Sequence, residues 1–446
     1  MDSGRKSFEC VMSEQSIEFT ASLLKDNGAS LELSQEHWLK ERQQEARSQL
    51  ENNSLPTTAE EEWRFTDLTG LYKRTLSVPQ ADLPVDSAVV RSLVIPEALS
   101  SIVLVDGVYS PDMSFVDAGK TKIRVSNLEA ALQDESLTSL LKDQLNKIDG
   151  DGISAFGEMN TALFKDIVVI HVGSGVQYFE TIHVLNISTG KQTFNHPRLL
   201  LIAEKQAKVC IFEDYVGIGG FEYMTNSVSE LSLAADSEVI HVKLQRDDDS
   251  AYHIAHTHVG VDNGASYRNW SISVGAAVSR HNMVTRQRQE GGQIDIKGLA
   301  LGHGKRIVDT HSCIEHTRPH GESTQVHKTI AGGRSKVVFN GKVKVHKNAQ
   351  QTNSSQQNRN LLLSARASVD AKPELEIFAD DVKCAHGATV GQVSEDELFY
   401  LKTRGLDDAI ARNVLNYAFA KEVIDDLPIQ SLGGVIESYI KEQTKT

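Results

Sequence analysis

Apolar and polar positions divide the chain into three zones with different periodicities. From about Ser13 to Lys147 the pattern is mixed. Ser34 to Leu50 (SQEHWLKERQQEARSQL) reads as a helix, with Ser34 as its cap and strong helix formers behind it. The stretch Asn52–Thr58, containing Pro56, breaks that pattern, and a second helical stretch is expected around Asn127–Lys147. From about Asp166 to Ile377 the pattern changes. Short β-rich segments recur at a spacing of roughly ten to fifteen residues. Among them are Ile167–Val172, Arg198–Ile202, Val209–Phe212, Val228–Leu233, Val239–Leu244, Ala265–Val274, Gln293–Leu301, Thr324–Ile330 and Ser335–Val345. Alternation such as Gln293-Ile294-Asp295-Ile296 and Val343-Lys344-Val345 predicts strands with two unlike faces. Gly, Asn, Asp and Ser punctuate the gaps, and prolines are confined to Pro197, Pro319 and Pro373.

So long a run of strands without helices excludes a doubly wound α/β fold. It leaves a sandwich, a large barrel or a β-solenoid, and short segments with no long crossover favour the solenoid. Stacked rungs leave open ends that flanking helices can cap. The expected division is a mixed, largely helical N-terminal region over 1–150, a β-helix core over 151–390 and a C-terminal helical domain over 391–446. In that last zone, Ser394 followed by Glu395, Asp396 and Glu397 starts a helix, Gly405 caps its end, and Leu406–Asp426 forms the next, ended by Pro428. Ile410, Val414, Tyr417, Ala418 and Ile424 share one face of that helix, and Leu415, Phe419 and Val423 form the adjacent row. Together they exceed the stripe that one core contact needs. The helix is therefore either buried among neighbours of its own domain or shared between that domain and a partner.

Composition narrows the function. Of 446 residues, 40% are hydrophobic and 24% charged, as in folded proteins. A formal net charge of −14 argues against a general nucleic-acid binder. Apolar runs are as short as Val168–Ile170 and Leu199–Ile202, far below the roughly 20 residues of a bilayer span. Met1–Val11 reads as an unstructured leader, with Met12 as an alternative start. Cys10, Cys210, Cys313 and Cys384 are too dispersed for a disulfide framework or an evident zinc motif, and a reducing compartment is expected. Gly119-Lys120-Thr121 ends like a phosphate-binding loop, but Ser114 stands where its first glycine belongs. No nucleotide is expected to bind this chain, and any ATP dependence would come from a partner.

Three segments carry candidate chemistry. His253, His256 and His258 fall in AYHIAHTHVG, and His311, His316 and His320 in DTHSCIEHTRPH beside Cys313. A metal site from them stays open, but neither has the spacing of a known metal motif, and histidines stacked on a solenoid surface are the favoured account. The third runs from Pro373 to Thr389. In a regular strand Cys384 and His386 point together, on the face of Glu376 and Asp380, although a turn at Asp380-Asp381 can change the phase relative to Glu376. A thiolate and a neutral imidazole both ligate iron, but two ligands do not complete an iron–sulfur site.

Several segments together resemble the SufD branch of the SufB/SufD family of iron–sulfur cluster assembly proteins. They are Glu62-Trp63-Arg64-Phe65-Thr66-Asp67, Ser323-x-Gln325-x-His327-Lys328, Asn340-Gly341-Lys342-Val343, Ala349-Gln350-Gln351-Thr352-Asn353, Asn360-Leu361-Leu362-Leu363-Ser364, Lys372-Pro373-Glu374-Leu375-Glu376-Ile377, Asp380-Asp381-Val382-Lys383-Cys384-Ala385-His386-Gly387-Ala388-Thr389 and Leu398-Phe399-Tyr400-Leu401 with Arg404-Gly405. The likeness spans roughly Thr57 to Asp426. The last 60 residues also lack the cysteine expected of a SufB-type cluster ligand. The resemblance implies a mainly β fold, with a right-handed parallel β-helix between N- and C-terminal helical domains. It implies a non-catalytic subunit that pairs with a SufB-like paralogue and docks a SufC-like ABC ATPase on its C-terminal helices, in a bacterial cytoplasm or plastid stroma. It makes Cys384 and His386 the ligands of a transient iron–sulfur cluster shared with the partner. It makes Ile410, Val414, Leu415, Tyr417, Phe419 and Val423 the docking surface. An open solenoid edge also allows a homodimer of the isolated chain. Two other readings stay open: a polysaccharide-active β-helix enzyme, which needs paired carboxylates in a cleft, and a purely structural binding module.

Overall fold

The computed structural model describes residues 14–25, 36–77, 79, 85–117, 123–147, 154–190 and 192–442. Ser34, the Met1–Val11 leader, Cys10, Met12 and Gly119-Lys120-Thr121 lie outside the described residues. Ahead of the core come the helices α1 (14–25), α2 (His37–Asn52), α3 (Thr69–Tyr72) and α4 (Ser87–Leu93). The first strands are β1 (Ala98–Val105), β2 (Val108–Tyr109) and β3 (Ile123–Ser126). The predicted Asn127–Lys147 stretch is two helices, α5 (Leu128–Gln133) and α6 (Glu135–Gln144), because Asn127 caps one and Asp134 caps the next. Helix α7 (Ala155–Leu163) leads into the core.

The core is a parallel β-solenoid of two ten-stranded sheets whose strands alternate along the chain. The first half contributes β4 (Val168–Val172), β5 (Gln177–Ser188), β6 (Phe194–Asn195), β7 (Arg198–Ala203), β8 (Lys208–Gly217), β9 (Met224–Leu233), β10 (Glu238–Arg246), β11 (Tyr252–Val261) and β12 (Ser266–Ser273). The second contributes β13 (Val278–Gln287), β14 (Gln293–Gly302), β15 (Ile307–His316), β16 (Glu322–Ala331), β17 (Lys336–Val345), β18 (Asn353–Leu362), β19 (Ser368–Ile377) and β20 (Lys383–Gln392). One sheet runs β2-β1-β5-β8-β10-β12-β14-β16-β18-β20 and the other β19-β17-β15-β13-β11-β9-β7-β4-β3. Strand β1, from the first zone, joins parallel to β5, while β2 and β3 pair antiparallel at the N-terminal end.

Alternation sends one set of side chains into the lumen and the other to the covering helices. In β10, Val239, His241, Lys243 and Gln245 alternate with Ile240, Val242 and Leu244. Val239 lies in a core cluster with Ile211, Tyr267 and Ile294, whereas Val242 and Leu244 pack under the C-terminal helices. Turn geometry fixes the rung repeat: Gln206, Asp236, Gly264, Gly291, His320 and Gln351 occupy successive corners, all with φ between 58° and 71°. Gly264 and Gly291 adopt this backbone freely, whereas Asp236 and His320 hold it at a steric cost. The amides are paired along that corner, as from Asp236 N to Asn263 O (2.9 Å) and His320 N to Gln350 O (3.0 Å).

Helices α8 (Glu395–Thr403), α9 (Asp408–Ile424) and α10 (Ser431–Glu442) follow. Ser394 caps α8 by accepting from Glu397 N, and Gly405 ends it at φ 90° with the amide of Leu406 returning to Leu401 O. Val423, Ile424, Leu427, Ile429, Leu432, Ile436 and Ile440 are buried against Val242, Trp270, Leu299 and Ile330 of the first sheet. Burial of each such side chain contributes about 1.5–3 kcal/mol, so the C-terminal helices are part of the core rather than an appendage. Salt bridges from Lys328 to Glu422 (2.6 Å) and Arg359 to Glu422 (3.3 Å), with one from Lys297 to Asp426, fix the seat of α9.

Candidate functional site

Along the first sheet the register runs residue for residue from β8 to β20, so lumen positions form straight columns. One column reads Val209, Val239, Tyr267, Ile294, Ser323, Ser354, Cys384. Its neighbour reads Ile211, His241, Asn269, Ile296, Gln325, Gln356, His386. Both turn polar over the last three rungs. Buried polar groups need partners, and these supply each other: Ser323 donates to Ser354 (2.8 Å) and Gln356 Nε2 to Gln325 Oε1 (2.9 Å). The columns end at the final strand, which no further rung covers.

Cys384 and His386 are therefore neighbours on one face of the terminal strand, at the open end of the lumen. His386 is exposed, whereas Cys384 is half-buried against Val343, Val345, Leu375 and Val382. Burial pushes the Cys384 thiol up, partly offset by the Ser354 backbone amide. The thiol stays protonated near neutral pH until an electrophile or metal draws it out. Glu376 does not share this face, as the bare strand pattern had it. The turn at Asp380-Asp381 shifts the phase, so Leu375 packs beside Cys384 while Glu376 points outward to Lys342 (3.0 Å). Strand β20 pairs only with β18 and β19 only with β17, so both present a free edge among the described residues. Ile377 (40% exposed), Phe378 (60%) and Val390 (54%) rim this end.

The two histidine-rich segments do not converge. His253 lies in the core, 3.0 Å from Asp247 and edge-on to Tyr215. His256 and His258 face the opposite way and stack on each other, but they are buried rather than displayed. His256 lies within 2.5 Å of Ser154, the cap of α7, because that helix covers their face. His311 bridges Asp309 and Glu62, His316 donates to or accepts from Ser323 in the lumen (2.9 Å), and His320 sits at a corner. Among the described residues no group of three or more His, Cys, Asp and Glu side chains is placed to hold a metal. Cys210, Cys313 and Cys384 are all free.

On the C-terminal helices Ile410 (48% exposed) and Val414 (44%) face solvent, as do Phe399 (70%) and Tyr400 (57%) of α8. Leu415, Tyr417 and Phe419 are half-buried, and the last two pack on the solenoid cluster. Val423 is fully buried in that cluster and offers no surface to a partner. Phe399 and Tyr400 extend the apolar surface beyond the positions that helical periodicity singles out; the signal for them is the adjacency of two aromatics to Leu398, the one buried residue of a short charged helix.

Glu62-Trp63-Arg64-Phe65-Thr66-Asp67 lies across the outer face of the second sheet. Arg280 stacks over Trp63 at 3.7 Å and donates to the Glu62 carbonyl at 2.6 Å. A groove of about 540 Å³ beside it is lined by Trp63, His256, Arg286, Cys313, Glu315 and Lys342. Two of its carboxylates are held by basic groups, Glu315 by Arg286 (2.6 Å) and Glu62 by His311 (3.1 Å), rather than facing each other as a glycosidase pair would. No helix of the described residues is long and apolar enough to cross a membrane.

Comparison with known proteins agrees with this architecture. The model for the SUF system FeS cluster assembly SufBD core domain matches residues 186–419, and that for the SufBD protein N-terminal region matches residues 14–184. The chain is 36% identical over 407 residues to an iron–sulfur cluster assembly SufBD family protein of Synechocystis, covering 87% of this chain and 88% of that protein. It is 29% identical over 388 residues to the iron–sulfur cluster assembly protein SufD of Escherichia coli, covering 86% and 88%. A chloroplastic protein of Arabidopsis thaliana is 30% identical over 396 residues, covering 86% and 82%.

Proposed function

Because the chain belongs to the SufBD family of the iron–sulfur cluster assembly system, we propose that it is a non-catalytic scaffold subunit whose open solenoid end meets a SufB-like paralogue. The observation that carries the reading is the terminal strand. Its edge is unpaired, its rim is apolar, and its two lumen columns end in a thiol and an imidazole. One chain supplies only two ligands there, so a nascent cluster, the cargo of the assembly, needs donors from the partner. His386 is available as it stands, and Cys384 becomes a ligand when the edge is engaged and its thiol is deprotonated by the metal.

A SufC-like ATPase docks on the outer side of α8 and α9, through Phe399, Tyr400, Ile410 and Val414 with Leu415 at the margin. Tyr417, Phe419 and Val423 instead hold α9 to the solenoid, so a pull on the docking surface reaches the first sheet through one rigid seat. The bacterial and chloroplastic relatives favour a bacterial cytoplasm or a plastid stroma. In isolation the same free edges support a homodimer.

Co-expression with SufB- and SufC-like partners tests the reading. A stable complex should form, and iron and sulfide should be recovered with it. His386→Ala should leave the complex intact and abolish cluster recovery. Normal iron and sulfide in that variant would reject the site, and failure of wild type to co-purify with any such partner would reject the scaffold role.

A further inference from the structure

The strap over residues 57–67 crosses the second sheet instead of following a strand. Arg280 of β13 donates to the Glu62 carbonyl and to Asp309 (2.8 Å). Thr66 of the strap donates to Asp309 of β15 at 2.5 Å, and His311 of the same strand lies 3.0 Å from Asp309 and 3.1 Å from Glu62. On β17, Lys336 sits 4.7 Å over the Phe65 ring and Asn340 donates to Glu62 at 3.4 Å. On β19, Lys372 pairs with Glu61 at 2.8 Å. The strap thus adds a second tie across β13, β15, β17 and β19, beside the backbone ladder that already pairs them. Its outer contacts, the exposed Lys372–Glu61 pair and the half-buried Lys336–Phe65 contact, are individually weak. Its buried knot is Arg280, Asp309 and His311.

We propose that this strap is a releasable clasp on the last turns of the solenoid, and that the charge on His311 sets how firmly it holds. Protonated, His311 donates to a carboxylate on each side, one on its own strand and one on the strap. Neutral, it can donate to only one, and either Glu62 or buried Asp309 then faces a lone pair. The groups around the ring are Asp309, Glu62, Arg280, whose Nη2 lies 3.3 Å from Nδ1, and Asn340; Lys372 acts on it through Glu62. Burial alone would lower the His311 pKa, but Asp309 and Glu62 outweigh it and hold it above the ordinary value of 6.5. A raised folded-state pKa means that the hold is complete below 6.5 and is lost as pH rises through the folded value. The clasp does not depend on what the terminal turns bind.

Hydrogen–deuterium exchange of the full chain at about pH 6 and about pH 9, corrected for intrinsic rates, reads the hold directly. Protection in Lys336–Val345 and Ser368–Ile377 should fall severalfold at the higher pH. Protection in Met224–Leu233, to which none of these polar strap contacts runs, should stay constant. His311→Gln should show the low protection at both pH values, and Glu62→Gln should lower it in the same strands. Wild-type protection that ignores pH, or falls evenly along the solenoid, overturns the clasp. A wild-type pH response in His311→Gln overturns the role of His311. The wild-type profile needs no substitution, so a variant that fails to fold leaves it decisive.

Discussion

Gly298→Ala offers a quantitative test of how tightly the lumen is packed. Gly298 of β14 is in register with His327 of β16, and both face inward. A Cβ on Gly298 would lie 2.1 Å from His327 Nδ1, where ordinary contact begins at 3.4 Å. The ring must therefore retreat by about 1 Å or more, and it has little room. Its far side packs on Phe339 with centroids 4.6 Å apart, and Gln325 Nε2 holds its Nε2 at 2.9 Å. Burial keeps this imidazole neutral, with its pKa lowered to about 3, so no charge is available to reorganise around. Overpacking costs about 1–3 kcal/mol and a strained hydrogen bond adds about 1, so Gly298→Ala should destabilise by about 2–3 kcal/mol. In a His327→Ala background the same methyl enters vacated space, and its effect should fall within about 0.5 kcal/mol of zero. Urea unfolding of the four proteins of the cycle, followed by far-UV circular dichroism, measures the coupling, expected to exceed about 1.5 kcal/mol. Additive effects would refute the premise that the glycine exists to admit the ring.

Other buried features give further outcomes. Arg198→Leu strands Glu230, 3% exposed and otherwise 2.6 Å from the guanidinium; it should cost about 3–5 kcal/mol in urea unfolding, largely recovered by adding Glu230→Leu. Lys328→Met removes the ammonium that bridges the Phe419 carbonyl (2.8 Å) and Glu422; it should cost about 1 kcal/mol and make proteolysis in residues 393–431 precede loss of the solenoid. Burial would raise the Glu213 pKa, but Lys243, His241 and the Tyr215 hydroxyl hold it well below the ordinary 4.5. A depressed carboxylate stabilises above that value and loses the contribution as pH falls towards the folded pKa, so Glu213→Gln should flatten the acid limb of the stability curve; an unchanged limb would reject the assignment.

Much of the solenoid was legible because its outer and lumen positions alternate in polarity, as in Gln293–Lys297. Strands Val278–Gln287 and Asn353–Leu362 were harder to read. Their lumen side carries Ser, His, Gln and Asn, so polar residues fall on both faces and the two-residue period fades. The Cys384–His386 pair was legible because strand parity alone places i and i+2 together. Its relation to Glu376 was not, since the Asp380-Asp381 turn sets the phase between strands.

The sequence by itself determined the zones, the caps at Ser394 and Gly405, the unlike faces of the strands and the pairing of Cys384 with His386, because each follows from covalent neighbours and local backbone geometry. Only the tertiary structure decided that Val423 belongs to the core while Ile410 and Val414 face out, and that the histidine segments scatter. It alone brings Glu62 to His311. An apolar helix face looks the same in sequence whichever neighbour covers it, and contacts between residues hundreds of positions apart exist only once the rungs have stacked.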